Sequence, residues 1–235
     1  HVNSETGVIQ DLKTIASEAK KINRNILLHS DGVQAFTKIP INLNEMGVDM
    51  YSISSHKIRG IKGTGALILS TKQEPVIQIH GGGQEHGFRS GTENVPGIAA
   101  LGLAAKLSNK NMSKDCLRVE TFKQKFIKGL KETFSDVRIY HSQNAIPHIL
   151  SISFPGILGE VLLNHLAMHE IYVSTGSACN ASSKKLSATL EAIGFTANQI
   201  RETIRVSLNA KEIPTDFELF FKKFKTTIQE LKEIL

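Results

Sequence analysis

Ile9, Leu12, Ile15, Ala16 and Ala19 recur every three to four residues, the spacing of a helix that buries one face. The period then shortens. Ile26 to His29, Asp49 to Ser54 and Ala66 to Ser70 read as strands, with a weak helical turn from Asn42 to Met46 between the first two. Strand and helix in alternation imply parallel pairing through right-handed crossovers. The first two strands both run into polar residues at their C-terminal ends, His29-Ser30-Asp31-Gly32-Val33-Gln34 and Ser54-Ser55-His56-Lys57. Open α/β sheets place their ligands at that edge.

A polar, glycine-rich stretch from Gly81 to Thr92 leads to a helix start near Asn94 or Pro96. Ile98 to Leu107 is helical in pattern, Ser108-Asn109-Lys110-Asn111 reads as a break, and Asp115 to Phe134 predicts a long amphipathic helix. The boundary between two domains is placed there, giving 1–111 and 112–235. Beyond it the pattern predicts strands at 137–140, 149–154, 171–174 and 203–208, and helices at 159–168, 186–193 and 216–234. That is a smaller α/β domain with helices on one side of a largely antiparallel sheet.

The chain of 235 residues is 40% hydrophobic and 21% charged, a globular composition. No apolar run approaches the roughly 20 residues of a membrane span. Two cysteines, Cys116 and Cys179, with no paired spacing, argue against a disulfide framework and suit a reducing cytoplasm. A net charge of +6 is modest, and Lys222, Lys223 and Lys225 lie at helical spacing, as on a solvated face, with no nucleic-acid recognition motif beside them.

Lys57 stands at the mouth of a strand, before a loop with glycines at 60, 63 and 65. It is either one more solvated lysine or an amine that bonds an aldehyde cofactor. Pyridoxal phosphate needs such a lysine, an acid for its ring nitrogen and donors for its phosphate. Asp31 can be the acid, Gln34 can donate to the ring hydroxyl oxygen, and Ser54 and His56 can hold phosphate. A second stretch of interest, Ser174 to Ser183, is rich in small residues, contains Cys179 and runs into Lys184 and Lys185. Small residues suit a mobile loop, and nearby positive charge favours a thiolate. His165 and His169 lie four apart on one helix face, a spacing that can chelate a metal, but no third ligand is evident along the chain and no metal is expected.

Val2-Asn3-Ser4-Glu5-Thr6-Gly7, His29 to Gln34, Ser54 to Lys57, Arg89-Ser90-Gly91-Thr92-Glu93-Asn94, Ser177-Ala178-Cys179 and Ile204-Arg205-Val206-Ser207 occur in an order that resembles the cysteine desulfurases. The resemblance covers nearly the whole chain. It implies the fold of pyridoxal-phosphate-dependent transferases (aminotransferase fold type I): part of a large cofactor-binding domain with a mainly parallel sheet, then a small C-terminal α/β domain carrying the cysteine loop. It also implies sulfur removal from L-cysteine, leaving L-alanine and a persulfide on Cys179. The sulfur then passes to an acceptor, an iron–sulfur scaffold or a tRNA-thiolating enzyme. By the same resemblance Lys57 carries the cofactor and acts as base, Asp31, Gln34, Ser54, His56 and Ser4 contact it, and Thr92 reaches the phosphate of a partner subunit, so a homodimer is expected. Asn3 and Arg205 bind the substrate, the arginine by forking onto its carboxylate.

Two departures accompany it. Where the family usually carries Asn-Asn-Glu this chain has Asn3-Ser4-Glu5, which loses about one neutral hydrogen bond, or ~1 kcal/mol. The chain also begins at His1, where relatives carry a further N-terminal segment, so a fragment that binds the cofactor weakly by itself is expected. Competing readings are another pyridoxal-phosphate enzyme, such as an aminotransferase or selenocysteine lyase, and a non-catalytic scaffold.

Overall fold

The computed structural model describes residues 1–70, 75–176 and 186–234. The chain forms two compact units. One comprises residues 1–2 and 9–112, the other residues 3–8 and those from 113 onward.

In the first unit, helix α1 (Leu12–Ile22) starts at Asp11, whose carboxylate accepts from the Thr14 amide at 3.1 Å. Only Ala16 of the expected stripe is buried, Ile15 being 46% exposed. Strand β1 (His29–Asp31), the short helix α2 (Leu43–Met46), β2 (Met50–Ser54) and β3 (Gly65–Leu69) follow. Strand β1 starts three residues later than the pattern suggested, because its partner β2 begins at Met50, opposite His29. The Asp49 carboxylate takes the Leu28 amide at 2.9 Å, ahead of the ladder.

β1 and β2 are parallel, as expected, but β2 and β3 are antiparallel, with Ser54 opposite Gly65. A parallel return needs a crossover of a dozen or more residues. The link from β2 to β3 holds only a 3-10 turn (Ser55–Ile58) and a glycine-bearing loop. The core of this unit is small: Val48, Tyr51, Ile53, Ile58 and Leu101, with partly buried Phe36 and Met46 among those around them.

Helix α3 (Val95–Thr133) is one continuous helix of 39 residues, not two. The polar run 108–111 contains neither glycine nor proline, and such residues cost only a few tenths of a kcal/mol each in a helix. Asn111 turns its amide back onto the Leu107 carbonyl at 2.8 Å.

In the second unit, β4 (Arg138–Tyr140), β5 (Ile149–Ser153) and β6 (Thr203–Ser207) form an antiparallel sheet in that order. Leu150, Ile152 and Ile204 face a core shared with α3, α4 (Gly159–Met168) and α7 (Phe217–Ile234), where Phe126, Phe154 and Phe224 interlock. All five residues of β5 are buried, so its other face is covered as well. Asn3–Val8 lies over it: Ser151 donates to the Glu5 carbonyl at 2.8 Å, and the Ile146 amide to that of Gly7 at 2.9 Å.

The expected strand at 171–174 reduces to one bridge, Ser174 with Arg205, on the edge of β6 that β5 leaves open. The helix expected from 186 begins at α5 (Ala188–Ala192) behind the cap Ser187. One element was missed, α6 (Ala197–Glu202), whose Thr196–Gln199 capping box is readable in sequence. Among the described residues no helix is long and apolar enough to cross a membrane.

Candidate functional site

The first unit brings two of the polar segments together. In β2, Tyr51 and Ile53 point into the core, so Ser52 and Ser54 point the other way. In β1, Ser30 is buried while His29 and Asp31 are exposed. Ser30 pairs with Tyr51 and Asp31 with Ser52. Asp31 and Ser54 therefore share one face at the C-terminal edge of two adjacent parallel strands. His29 and Ser52 tie that face together through a 2.7 Å contact between Nε2 and Oγ.

Each strand ends in a tight turn fixed by local chemistry. The Asp31 carboxylate accepts from the Val33 amide at 2.8 Å, which bends the chain toward Gln34. Gln34 accepts in turn from the Lys38 ammonium at 2.8 Å. Gly32 lies hard against Tyr51: a methyl at this position would sit 1.9 Å from the ring. Tyr51 is fully buried, and burial first, then the Asp31 charge, pushes its phenol well above the ordinary tyrosine range. After β2, Ser54 and His56 meet at 2.9 Å between Oγ and Nδ1, and Lys57 is exposed in the 3-10 turn. Arg59 then closes the turn in the left-handed region (φ 68°), a conformation that costs a non-glycine residue about 1 kcal/mol or more.

Thr92 is exposed in the loop before α3. That loop is held by the Gly91 amide donating to Gln84 Oε1 at 2.9 Å, and Asn94 reaches Thr64, in the loop before β3, at 3.3 Å.

The second unit holds Asn3, Ser4 and Arg205. Asn3 Oδ1 accepts from the amides of Glu5 and Thr6, both at 2.9 Å, and so organises the turn in which Gly7 takes φ 75°. Its amide N–H2 is the group it can offer a ligand. Ser4 presents its carbonyl to the Arg205 guanidinium, Nη1 donating at 3.1 Å. The Ser4 backbone thus orients the arginine whatever side chain it carries.

Cys179, with Lys184 and Lys185, lies outside the described residues. The residues on either side of that stretch are anchored in this unit. Ser174 exchanges both backbone hydrogen bonds with Arg205. Ser187 donates its hydroxyl to the buried carboxylate of Glu5 while accepting from the Leu190 amide. Sequence reasoning gave Glu5 and Ser187 no role. Their link joins positions 5 and 187, and no local pattern signals it.

The donor set in the first unit fits pyridoxal phosphate by its chemistry. A carboxylate, an amide, a hydroxyl, an imidazole and a primary amine leave one sheet edge from two neighbouring strand ends.

Comparison with known proteins agrees. The IscS cysteine desulfurase of Dictyoglomus turgidum (strain DSM 6724 / Z-1310) is 37% identical over the whole of this chain, which covers 59% of that protein. A NifS-like protein of known structure superposes with a TM-score of 0.88 at 34% identity, over 97% of this chain and 59% of the other. A structure of SspA in complex with cysteine superposes with a TM-score of 0.71 at 33% identity, over 88% of this chain and 57% of that one. The chain thus spans under three fifths of the length of these relatives. The model of the class-V aminotransferases matches residues 1–220. With its fold shared by the NifS-like enzymes and its relatives named as desulfurases, the chain belongs to the class-V aminotransferase family, whose cofactor is pyridoxal phosphate.

Proposed function

We propose that this chain is part of a cysteine desulfurase, taking sulfur from L-cysteine to give L-alanine and an enzyme persulfide. The observation that carries the reading is the common edge and face of Asp31 and Ser54, with Lys57 following in the next turn. Pyridoxal phosphate, when bound, supplies the electron sink that lets the substrate C–S bond break. Lys57 would tie the cofactor to the chain and carry the proton taken from, and returned to, the substrate carbon. Asp31 would hold the ring nitrogen protonated, Gln34 and Ser4 would bond the ring hydroxyl oxygen, and Ser54 and His56 would take the phosphate, with Thr92 on that of a partner subunit.

Arg205 would fork onto the substrate carboxylate, with the Asn3 amide beside it. The Cys179 thiolate would attack the substrate sulfur. That S–S bond forms as the C–S bond breaks, and the carbon left behind takes up a proton to become alanine. Ser174 and Ser187, on either side of the Cys179 stretch, are held in place by Arg205 and Glu5. The domains follow these roles, residues 1–111 holding the cofactor and 112–235 delivering the thiol. A cytoplasmic homodimer handing sulfur to an iron–sulfur scaffold or a tRNA-thiolating enzyme completes the reading.

The test is alanine release from L-cysteine, measured for this chain and for a version extended to the relatives' length. Cys179→Ala should abolish alanine formation while the cofactor's visible absorbance persists, and Lys57→Ala should remove both. A Cys179→Ala protein that still forms alanine at the parent rate would refute the assignment. A second reading is a scaffold without catalysis, favoured by the shorter Ser4 side chain where the family usually carries asparagine. Cysteine-independent absorbance and no alanine from either version would select it.

A further inference from the structure

The second unit brings together three metal-ligating side chains from two helices. His165 and His169 lie one turn apart at the end of α4, and Glu230 comes from α7. Glu230 Oε2 stands 3.5 Å from His165 Nε2 and 3.8 Å from His169 Nε2, and the three ligand atoms all lie within 4.8 Å of one another. The carboxylate is far from the histidines in sequence, which is why no third ligand could be found along the chain.

Three features point to an ion. His165 Nε2 is buried and, among the described residues, has no hydrogen-bond partner although Glu230 Oε2 stands 3.5 Å away, a polar atom left for something else to satisfy. The imidazoles stand edge to face with centroids 6.0 Å apart, so both ring nitrogens can converge without a clash. The frame behind them is rigid, since Leu162 and Leu166 of α4 and Ile228 and Leu231 of α7 are buried in one core.

We propose that His165, His169 and Glu230 form a binding site for Zn2+ that clips α4 to α7. Two imidazoles and a carboxylate match the borderline softness of zinc, and ligand bonds of about 2.0–2.1 Å put neighbouring donor atoms about 3.3 Å apart in a tetrahedron. The His165–Glu230 separation is close to that already, and small rotations of the half-exposed His169 and Glu230 close the rest. The fourth position faces solvent and would hold water. The site lies on the helical layer of its unit and takes no part in the sulfur chemistry proposed above. Its consequence is mechanical, because an ion that binds only the folded arrangement stabilises it by mass action.

Titration of the full chain with ZnCl2 by calorimetry tests this, with thiols first blocked by iodoacetamide so that cysteine cannot contribute. CoCl2 then serves as a spectroscopic reporter. One zinc per chain with a Kd below about 100 µM is expected, along with a rise in melting temperature of about 5 °C under excess metal. The cobalt complex should show the visible bands of a tetrahedral nitrogen–oxygen site. His169→Ala and Glu230→Gln, both at half-exposed positions where folding is preserved, should each weaken binding at least about tenfold and cancel the thermal shift. Equal affinity in all three proteins would overturn the proposal. So would the lack of one-to-one binding below about 100 µM, which leaves the cluster an imidazole–carboxylate ion pair.

Discussion

Among single residues, Lys123 stands out because it breaks the ordinary rule for charge. Its side chain is fully buried in α3, and among the described residues its ammonium has no hydrogen-bond partner, with the Glu120 carboxylate 3.8 Å away. Burial pushes its pKa down from 10.5, and Glu120 opposes this only in part. The unfolded chain therefore binds this proton more tightly than the folded one. It follows that the folded state gains stability as pH rises from the folded pKa to about 10.5, and carries the full penalty below that window. Lys123→Met should remove the penalty and raise stability near neutral pH by about 1–2 kcal/mol. It should also flatten the alkaline rise that urea midpoints record for the parent. A variant less stable than the parent at pH 7 would mean that the ammonium is satisfied by water inside the unit. Gly32 poses the opposite problem, since a methyl there meets a ring that cannot retreat. Gly32→Ala should cost about 3 kcal/mol in denaturant midpoint. Adding Tyr51→Leu should recover part of that loss, although each change alone destabilises.

At the scale of elements, the turn at Asn3–Val8 and helix α5 are joined by Glu5 and Ser187. A carboxylate accepting from a hydroxyl in a buried setting is among the stronger hydrogen bonds. Here the same hydroxyl also caps α5. Glu5→Ala should lower stability by about 2 kcal/mol and Ser187→Ala by about 1 kcal/mol. The double variant should fall short of the sum by about 1 kcal/mol. Strictly additive losses in chemical denaturation would show that the two residues do not act together.

This link also marks the limit of what the sequence discloses. Strands β2 and β5 and helices α4 and α7 were legible because alternation and three-to-four spacing are local. The polar strand ends at Asp31 and Ser54 were legible for the same reason. The single helix α3 was not, because a polar run resembles a break unless its lack of glycine and proline is given due weight. The antiparallel β3 lay in the shortness of a loop. The partners of Glu5 and the third ligand beside His165 and His169 depend on residues brought close only by the fold.

For the whole molecule, the two units differ in how well each buries its own apolar surface. Among the described residues the second has twenty buried apolar residues in one cluster, whereas the cluster of the first has five. In the first unit β3 carries its apolar side chains largely outward, with Leu67 47% and Ile68 37% exposed, and Ile26 and Leu27 are likewise exposed. Burial at about 25 cal/mol per Å² is the main force opposing chain entropy, so the first unit has much less to hold it closed. Local opening should therefore be far easier there. Hydrogen exchange read by mass spectrometry should find the amides of β3 and α1 exchanging at least about a hundredfold faster than those of β5 and α7, even though all four are hydrogen-bonded elements. Binding of pyridoxal phosphate to the edge formed by β1 and β2 should slow exchange in the first unit selectively, because a ligand that binds only the closed form raises the free energy of opening. Uniform protection across both units without cofactor would mean that the first is held by contacts other than its own core. Protection that rises equally in both on adding pyridoxal phosphate would instead show that the two open as one cooperative body.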